Sequence, residues 1–245
     1  MENYMLKQKL ITSVSVAILL VFTFQTNSFA LAKKGRAQAM FTVKIENISN
    51  PDGIVAQDGT KYPFAISPGL FLITEKKMDL FREGKRASSG LQSQAEEGDP
   101  SLLAKYYLTK IGSLNEGVFS KPEGSDMASP LLPSHSFEFS FKAEEGMKLE
   151  VSTMFGQSND LFYAPKEAID LFVNGNAVSG DITDKFVLWD AGTEANQAPG
   201  IGSDQAPRQK GPHTGVRENG VVHMVNDGFT YPNTKDVLRI TISAQ

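Results

Sequence analysis

The chain has 245 residues, a formal net charge of −4 at pH 7 and no cysteine. The mild negative charge argues against nucleic-acid binding, which uses a clustered basic surface. The absence of cysteine excludes a disulfide framework and the bacterial lipid-anchoring signal, which modifies a cysteine. The fold must therefore be stabilised by its hydrophobic core, with or without a bound metal, and the length suits one β-sandwich domain.

The first 32 residues have the pattern of a secretory signal peptide. Two lysines precede an apolar run at 10–24, and residues 30–32 (Ala-Leu-Ala) match the small-x-small pattern that signal peptidase cleaves. The run is shorter than the roughly 20 residues of a membrane span, which favours cleavage over an uncleaved anchor. We therefore predict an exported protein, periplasmic or secreted, with no membrane span after cleavage. A loose segment at 33–39 is predicted to precede one domain at 40–245.

The domain begins with a predicted strand. Phe41, Val43 and Ile45 are apolar and alternate with polar residues. This period of two indicates a strand with one buried face. The next segment, 47–59, contains Pro-Asp-Gly and Asp-Gly, which predict a turn-rich loop.

One helical region is predicted, over 89–111. Asp99 precedes Pro100, a pair that suits a helix start, because proline at the first helical position loses no hydrogen bond. Four apolar residues then recur at helical spacing, and a short preceding helix is predicted over 91–97. We expect one or two short peripheral helices covering an end or an edge of a sheet.

Strand patterns dominate after residue 133. Phe137, Phe139 and Phe141 alternate with polar residues, as in a strand with one buried face. A turn at 144–146 and renewed alternation from Met147 predict a hairpin. The last part of the chain contains predicted strands at 169–173, which ends at an Asn-Gly turn pair, at 186–189, at 221–225 and at 237–242, and a long loop at 196–219. These patterns predict an all-β fold of about eight strands, an antiparallel β-sandwich.

Nothing in the sequence singles out a catalytic centre. The three histidines, His135, His213 and His223, are far apart and belong to no recognisable motif. The chain contains no G-x-S-x-G, no H-E-x-x-H and no phosphate-binding glycine loop. A glycosidase needs only two carboxylates, so a carbohydrate-active enzyme stays an alternative to our prediction of a non-enzymatic binding protein.

Acidic residues at strand ends are the stronger signal. Asp190 follows the apolar run at 186–189, and Glu194 lies four residues later with Ala-Gly-Thr between them. These small residues allow a tight curl, so both carboxylates can face one point, and Ca²⁺ takes six to eight such oxygen ligands. Asp160 likewise directly precedes an apolar run. The spacing alone also fits a solvated loop whose aspartate caps a turn.

Longer stretches resemble the spondin domain, a module named after an extracellular matrix protein and also found alone in exported bacterial proteins. The most specific stretch is 187–196 (VLWDAGTEAN), which contains the motif LWDAGTE. The other matching stretches are 67–69 (SPG), 90–99 (from Gly-Leu to Glu-Glu-Gly-Asp), 158–162 (SNDLF), 179–184 (SGDITD) and 199–209 (PGIGSDQAPRQ). The resemblance thus extends from about Phe41 to the C-terminus.

The resemblance implies an eight-stranded antiparallel β-sandwich, similar to membrane-targeting C2 domains, with a calcium ion bound by loops at one end. The carboxylate ligands of the family correspond to Asp160, Asp190 and Glu194. Two departures bear on this expectation: Leu161 stands where tryptophan is usual, and Glu194 is often aspartate in animal members. Glutamate reaches one methylene further, so the geometry of the calcium site would shift.

Other residues invite a functional interpretation but are predicted to be structural. Trp189 lies on a buried strand and is expected in the core. The phenylalanines at 137, 139 and 141 are also expected to pack there. Three further aspartates, Asp181, Asp184 and Asp204, could add metal ligands but are favoured as turn caps. A basic cluster is favoured as a solvated loop over an anion-binding surface; its members are Lys76, Lys77, Arg82, Lys85 and Arg86.

The sequence therefore predicts an exported calcium-binding module for adhesion or for interaction with the matrix or cell envelope. Its partner would be an extracellular or envelope protein or polysaccharide. The alternative is a carbohydrate-active hydrolase or lectin that uses Asp160, Asp190 and Glu194 on sugar.

Overall fold

The computed structural model describes residues 35–75, 79–111 and 116–245. The predicted signal peptide at 1–32 lies outside these residues. The strands are β1 (Gln38–Asn47), β2 (Ile54–Val55), β3 (Lys61–Tyr62), β4 (Ile66–Thr74), β5 (Glu116–Phe119), β6 (Ser136–Glu144), β7 (Lys148–Phe155), β8 (Leu161–Pro165), β9 (Ile169–Asp170), β10 (Phe172–Val173), β11 (Asn176–Ala177), β12 (Gly180–Asp181), β13 (Phe186–Asp190), β14 (His223–Met224) and β15 (Leu238–Ala244). The helices are α1 (Ser89–Glu97), α2 (Ser101–Ile111) and the single turn α3 (Thr234–Val237), with a 3₁₀ turn at Thr183–Lys185.

Two antiparallel sheets contain the long strands. The smaller sheet has the order β12-β15-β1-β6, and the larger has the order β14-β13-β8-β7-β4-β5, with β9 paired to β7. Eight strands in the described part of the chain have four or more residues, in agreement with the predicted number. The prediction of an all-β antiparallel sandwich is confirmed.

The core lies between the two sheets. Phe139 of β6, in the smaller sheet, stacks on Phe71 of β4, in the larger sheet, with ring centroids 4.3 Å apart. Phe137 and Phe141 also belong to this buried cluster, so the phenylalanine alternation of β6 does mark its core-facing side. The outer face of the larger sheet is covered by the two longer helices, with Leu91 of α1 and Leu103 of α2 in two smaller apolar clusters.

The helix prediction is confirmed, and each boundary has a local cause. The Ser88 Oγ accepts a hydrogen bond from the Leu91 N–H at the start of α1, and Gly98 ends that helix at φ 71°. The Asp99 Oδ1 then accepts a bond from the Ser101 N–H at 2.9 Å and caps α2. The two helices thus form a tight pair joined by a very short connection.

The predicted hairpin of β6 and β7 is wrong. β6 pairs with β1, whereas β7 pairs with β4, β8 and β9, so the turn at 144–146 carries the chain from one sheet to the other. Both strands bury one face in the same core from opposite sides, and their alternation is the same in either arrangement. An alternating pattern identifies the buried face of a strand but does not identify the strand that pairs with it.

Other predicted strands are shorter than expected. The segment 169–173 is divided into β9 and β10 around buried Leu171, and only two residues of 221–225 form strand β14. The Asn174-Gly175 pair does make a tight turn, between β10 and β11, with φ values of 51° and 77°. Strand β1 begins at Gln38, which pairs with Glu144, so two residues of the segment expected to be loose belong to the sheet.

Residues Arg36–Gln245 cluster as one unit. Among the described residues, no helix is long and apolar enough to cross a membrane.

Candidate metal centre

Strand register brings two of the three predicted ligands together. Asp190, the last residue of β13, pairs with Leu161, the first residue of β8. Asp160 immediately precedes β8, and its carbonyl accepts a hydrogen bond from the Ala191 N–H at 3.2 Å. Because antiparallel neighbours begin and end at the same edge, two aspartates that are distant in the chain become adjacent.

Asp160 is oriented by the loop that follows β13. Its side chain is fully buried, at 0% exposure. The Oδ2 atom accepts three hydrogen bonds, from the Thr193 N–H at 2.7 Å, the Thr193 hydroxyl at 3.0 Å and the Glu194 N–H at 3.0 Å. The Oδ1 atom is buried and has no hydrogen-bond partner among the described residues. Asp160 therefore presents one fixed oxygen whose bonding capacity is unused.

Asp190 is also buried, at 2% exposure. Its Oδ1 accepts a hydrogen bond from the Gly192 N–H at 2.6 Å, and its Oδ2 accepts one from the Asn196 side-chain amide at 2.6 Å. The His223 Nε2 atom lies 3.9 Å from the same Oδ2. These contacts hold the carboxylate in place beside Asp160.

A third carboxylate, Glu218, completes this group. Single oxygens of Asp160, Asp190 and Glu218 lie within 4.8 Å of one another, and Glu218 is exposed at the rim. We call these three residues the carboxylate centre. Glu218 was not predicted as a ligand, because it lies in the long loop at 196–219, far in sequence from either aspartate. The loop returns because the Glu218 N–H donates to the Thr193 carbonyl at 3.1 Å and the Gly220 N–H donates to the Gly192 carbonyl at 2.7 Å.

Glu194 does not belong to the carboxylate centre by its side chain. Its N–H bonds Asp160, but its carboxylate lies beside Gly215, whose N–H donates to the Glu194 Oε1 at 3.0 Å. The side chain is 2% exposed, and its Oε2 has no hydrogen-bond partner in the described part of the chain. Glu194 therefore lies next to the predicted site, but its carboxylate faces the loop at Gly215.

Gly192 makes the tight turn between Asp190 and Glu194. Its φ is +67°, and a Cβ at this position would lie 2.6 Å from the backbone N and O of Val221. The close approach of the two loop segments therefore requires glycine here. The chain therefore curls tightly after Asp190 as predicted, but the carboxylates of Asp190 and Glu194 do not face one point, because the Glu194 carboxylate lies against Gly215.

The three carboxylates of the carboxylate centre are unfavourable as negative charges unless a positive charge lies near them. Burial, together with the charge of Asp190, raises the pKa of Asp160 to about 7. Burial also raises the pKa of Asp190 and of Glu218, the latter with a further contribution from Asp190. No lysine or arginine among the described residues forms an ion pair with these three carboxylates. His223, whose Nε2 lies 3.9 Å from the Asp190 Oδ2, can offset one negative charge when protonated, and a bound cation would offset the rest.

Trp189 is in the core as predicted, whereas of the three aspartates favoured as turn caps only Asp181 makes a turn-cap hydrogen bond. Trp189 is buried, 4.8 Å in ring-centroid distance from Phe81. The Asp181 Oδ1 accepts a bond from the Thr183 N–H at 2.8 Å, as a turn cap does, and Asp204 bonds the Gln197 side chain through both its backbone and its carboxylate. Asp184 is exposed in the 3₁₀ turn. In the basic cluster, Arg82 pairs with Asp79, Lys85 and Arg86 are exposed, and Lys76 and Lys77 lie outside the described residues.

Comparison of the chain with models of protein families and with curated proteins gave no match. The spondin resemblance and the ligand assignment that it implies therefore stay predictions.

Proposed function

We propose that this protein is an exported binding module in which a calcium ion at the carboxylate centre rigidifies one end of the β-sandwich. The ion would be structural, and the loops that it holds would present the surface for adhesion or for contact with the matrix or envelope. The partner would be an extracellular protein or polysaccharide.

One observation carries the proposal: a fully buried carboxylate oxygen, Asp160 Oδ1, lacks a partner among the described residues while two further carboxylates converge on the same aspartate. A buried charge without a partner strongly destabilises a fold, and two adjacent like charges increase the penalty. A cation bound by Asp160, Asp190 and Glu218 would remove both penalties at once. The all-oxygen set suits Ca²⁺, which binds oxygen ligands in flexible geometry.

The burial of the two aspartates favours an ion over a sugar. A hydrolase or lectin needs carboxylates that its substrate can touch. Asp160 and Asp190 are at most 2% exposed and are already engaged with the loop backbone. A small ion fits among such oxygens, whereas a pyranose ring would require the loop to open.

Thermal unfolding with calcium and with EDTA tests the proposal. At calcium about 100-fold above its dissociation constant, binding to the folded state alone adds about 2.7 kcal/mol, which raises Tm by roughly 5–10 °C for a domain of this size. Asp190→Asn should abolish this difference between calcium and EDTA. Asp170→Asn is the matched control, since Asp170 is an exposed strand residue paired with Lys148, and it should keep the full difference. An unchanged wild-type Tm in EDTA would refute the structural-calcium role.

A further inference from the structure

A second group of possible metal ligands lies outside the carboxylate centre. It combines Glu96 and Glu97, at the end of α1, with His213 of the long loop. One ligand atom of each residue lies within 4.8 Å of the other two. The His213 Nδ1 contacts the Glu96 Oε2 directly and lies 3.1 Å from the Glu97 Oε1. We call these three residues the histidine cluster.

The histidine cluster is fixed on its inner side and open on its outer side. The Glu96 side chain is 0% exposed, and its Oε1 accepts a hydrogen bond from the Gln92 side-chain amide at 2.8 Å. The backbone N–H of His213 donates to the Glu97 Oε1 at 3.3 Å, and this bond connects the loop to α1. The His213 side chain is 44% exposed, so a small ion can reach the imidazole from solvent.

Glu194 adds a further buried carboxylate beside the histidine cluster. Its Oε1 accepts a hydrogen bond from the backbone N–H of Gly215, two residues after His213. Its Oε2 is buried and has no partner within hydrogen-bond distance in the described structure, but the Asn159 side chain is close enough to lower the pKa of the carboxylate. A Cβ at Gly215 would overlap the Glu194 carboxylate, so the loop packs directly on it. After desolvation, the charge of Glu96 is the main cause that raises the pKa of Glu194, and Glu194 in turn contributes to the raised pKa of His213. The Glu194 carboxylate therefore belongs to the same region as the histidine cluster.

The charges in this region do not balance. Three carboxylates, those of Glu96, Glu97 and Glu194, surround one imidazole, and two of the three are buried. Protonated His213 offsets a single negative charge. No lysine or arginine of the described residues forms an ion pair with any of the three. Two buried carboxylates that share one weak cation are costly to the fold, and a bound metal ion would relieve that cost.

We propose that the histidine cluster is a second metal site, selective for a divalent transition metal of the zinc class and held by Glu96, Glu97 and His213. One imidazole nitrogen with carboxylate oxygens is a ligand set that Zn²⁺ accepts, at bond lengths of about 2 Å. Ca²⁺ takes oxygen ligands and does not select an imidazole. The site joins the helical layer to the long loop, and it does not depend on calcium at the carboxylate centre.

Metal titration of the full exported protein in excess calcium tests this proposal. Zn²⁺ binding is measured by calorimetry, and Co²⁺ is used as a visible-absorption probe. We expect one Zn²⁺ per chain in the presence of calcium and d–d absorption bands with Co²⁺. His213→Ala and Glu97→Gln should each weaken Zn²⁺ binding by about tenfold or more. Two variants are used so that the result does not depend on one that fails to fold. Their melting curves show directly whether each of them is folded.

Two controls test whether Zn²⁺ binds at the histidine cluster itself. His135→Ala removes an exposed histidine whose ring bonds the Pro133 carbonyl, and it should leave Zn²⁺ affinity unchanged. Asp190→Asn should abolish the calcium effect on Tm and keep Zn²⁺ binding. The proposal is overturned if wild type binds no stoichiometric Zn²⁺, if His213→Ala binds as tightly as His135→Ala, or if Zn²⁺ binding is lost in Asp190→Asn alone. The calcium-dependent Tm of wild type is read separately, so either proposal can fail without the other.

Discussion

The Asp160 carboxylate is completely buried, but only one of its two oxygens accepts hydrogen bonds from the described residues. Its Oδ2 accepts three bonds from the loop at 193–194, whereas its Oδ1 accepts none from the described residues. A buried carboxylate whose charge is only partly compensated is costly, and Asp160 is compensated on one of its two oxygens. The three loop bonds fix the direction of the carboxylate and favour its charged form, but burial and the charge of Asp190 outweigh them and raise its pKa. Under the calcium proposal, the ion would bind the unused Oδ1.

Gly192 offers a test of this orientation at a single residue. Gly192→Ala places a side chain at φ +67° and a Cβ 2.6 Å from the Val221 backbone. A left-handed conformation costs about 1 kcal/mol or more for a residue other than glycine, and displacement of the Val221 segment adds to it. We expect a loss of roughly 2–4 kcal/mol in unfolding free energy by urea denaturation, together with a weaker response of Tm to calcium.

Gly59→Ala is the matched control for that experiment. Gly59 has φ +86°, and a Cβ added there would have no atom within 4 Å, so this variant reports the backbone conformation alone. A Gly192→Ala variant that unfolds at the same urea concentration as Gly59→Ala would contradict the close loop packing described above.

Sequence reasoning located the two aspartates of the carboxylate centre and missed its third member. Asp160 and Asp190 directly flank apolar runs, so their place at strand ends can be inferred locally. Glu218 reaches them only because the long loop folds back on Gly192 and Thr193, which no local pattern encodes. The side-chain direction of Glu194 depends on the Gly215 contact, which is likewise distant in sequence.

At the scale of elements, the sequence predicted which face of each long strand is buried, but it did not predict which strand pairs with it. β6 and β7 follow each other through a short turn and still belong to different sheets. Consecutive strands are neighbours in roughly two-thirds of cases, which makes the hairpin the natural expectation. The arrangement seen here lets Phe139 of β6 stack across the core on Phe71 of β4, which alternation alone cannot reveal.

The helix pair provides a prediction in which two effects oppose each other. Gly90→Ala should gain about 0.5–1 kcal/mol in helix propensity. The new Cβ, however, would lie 2.9 Å from the Leu103 Cα, so α2 would have to move. Overpacking of this kind costs about 1–3 kcal/mol, and we expect net destabilisation in chemical denaturation.

Ser89→Ala is the control for helix propensity, because Ser89 is the neighbouring, exposed residue of α1. It should be neutral or slightly stabilising. If Gly90→Ala were stabilising to the same extent as Ser89→Ala, the close contact of α1 and α2 would be refuted.

At the scale of the whole molecule, the long loop links the candidate sites to the sandwich. One part of it is tied to the loop after β13, through the Ala195 N–H bond to the Val216 carbonyl at 2.7 Å. Another part is held by Arg208, which donates to the Gln157 side chain at 3.0 Å and to the Gly202 carbonyl at 2.8 Å. The sequence predicted only that this segment is irregular. Its ordered path follows from these hydrogen bonds within the loop and to the sandwich, and it carries both Glu218 and His213.

The most direct test of calcium binding is a crystal structure of the protein grown in calcium and measured at a wavelength where calcium scatters anomalously. We predict an anomalous peak about 2.3–2.6 Å from carboxylate oxygens of Asp160 and Asp190, the distance of a calcium–oxygen bond. Glu218 should lie at the same ion, directly or through water. A map with no peak between the two aspartates at millimolar calcium would contradict the central claim that calcium is bound at the carboxylate centre.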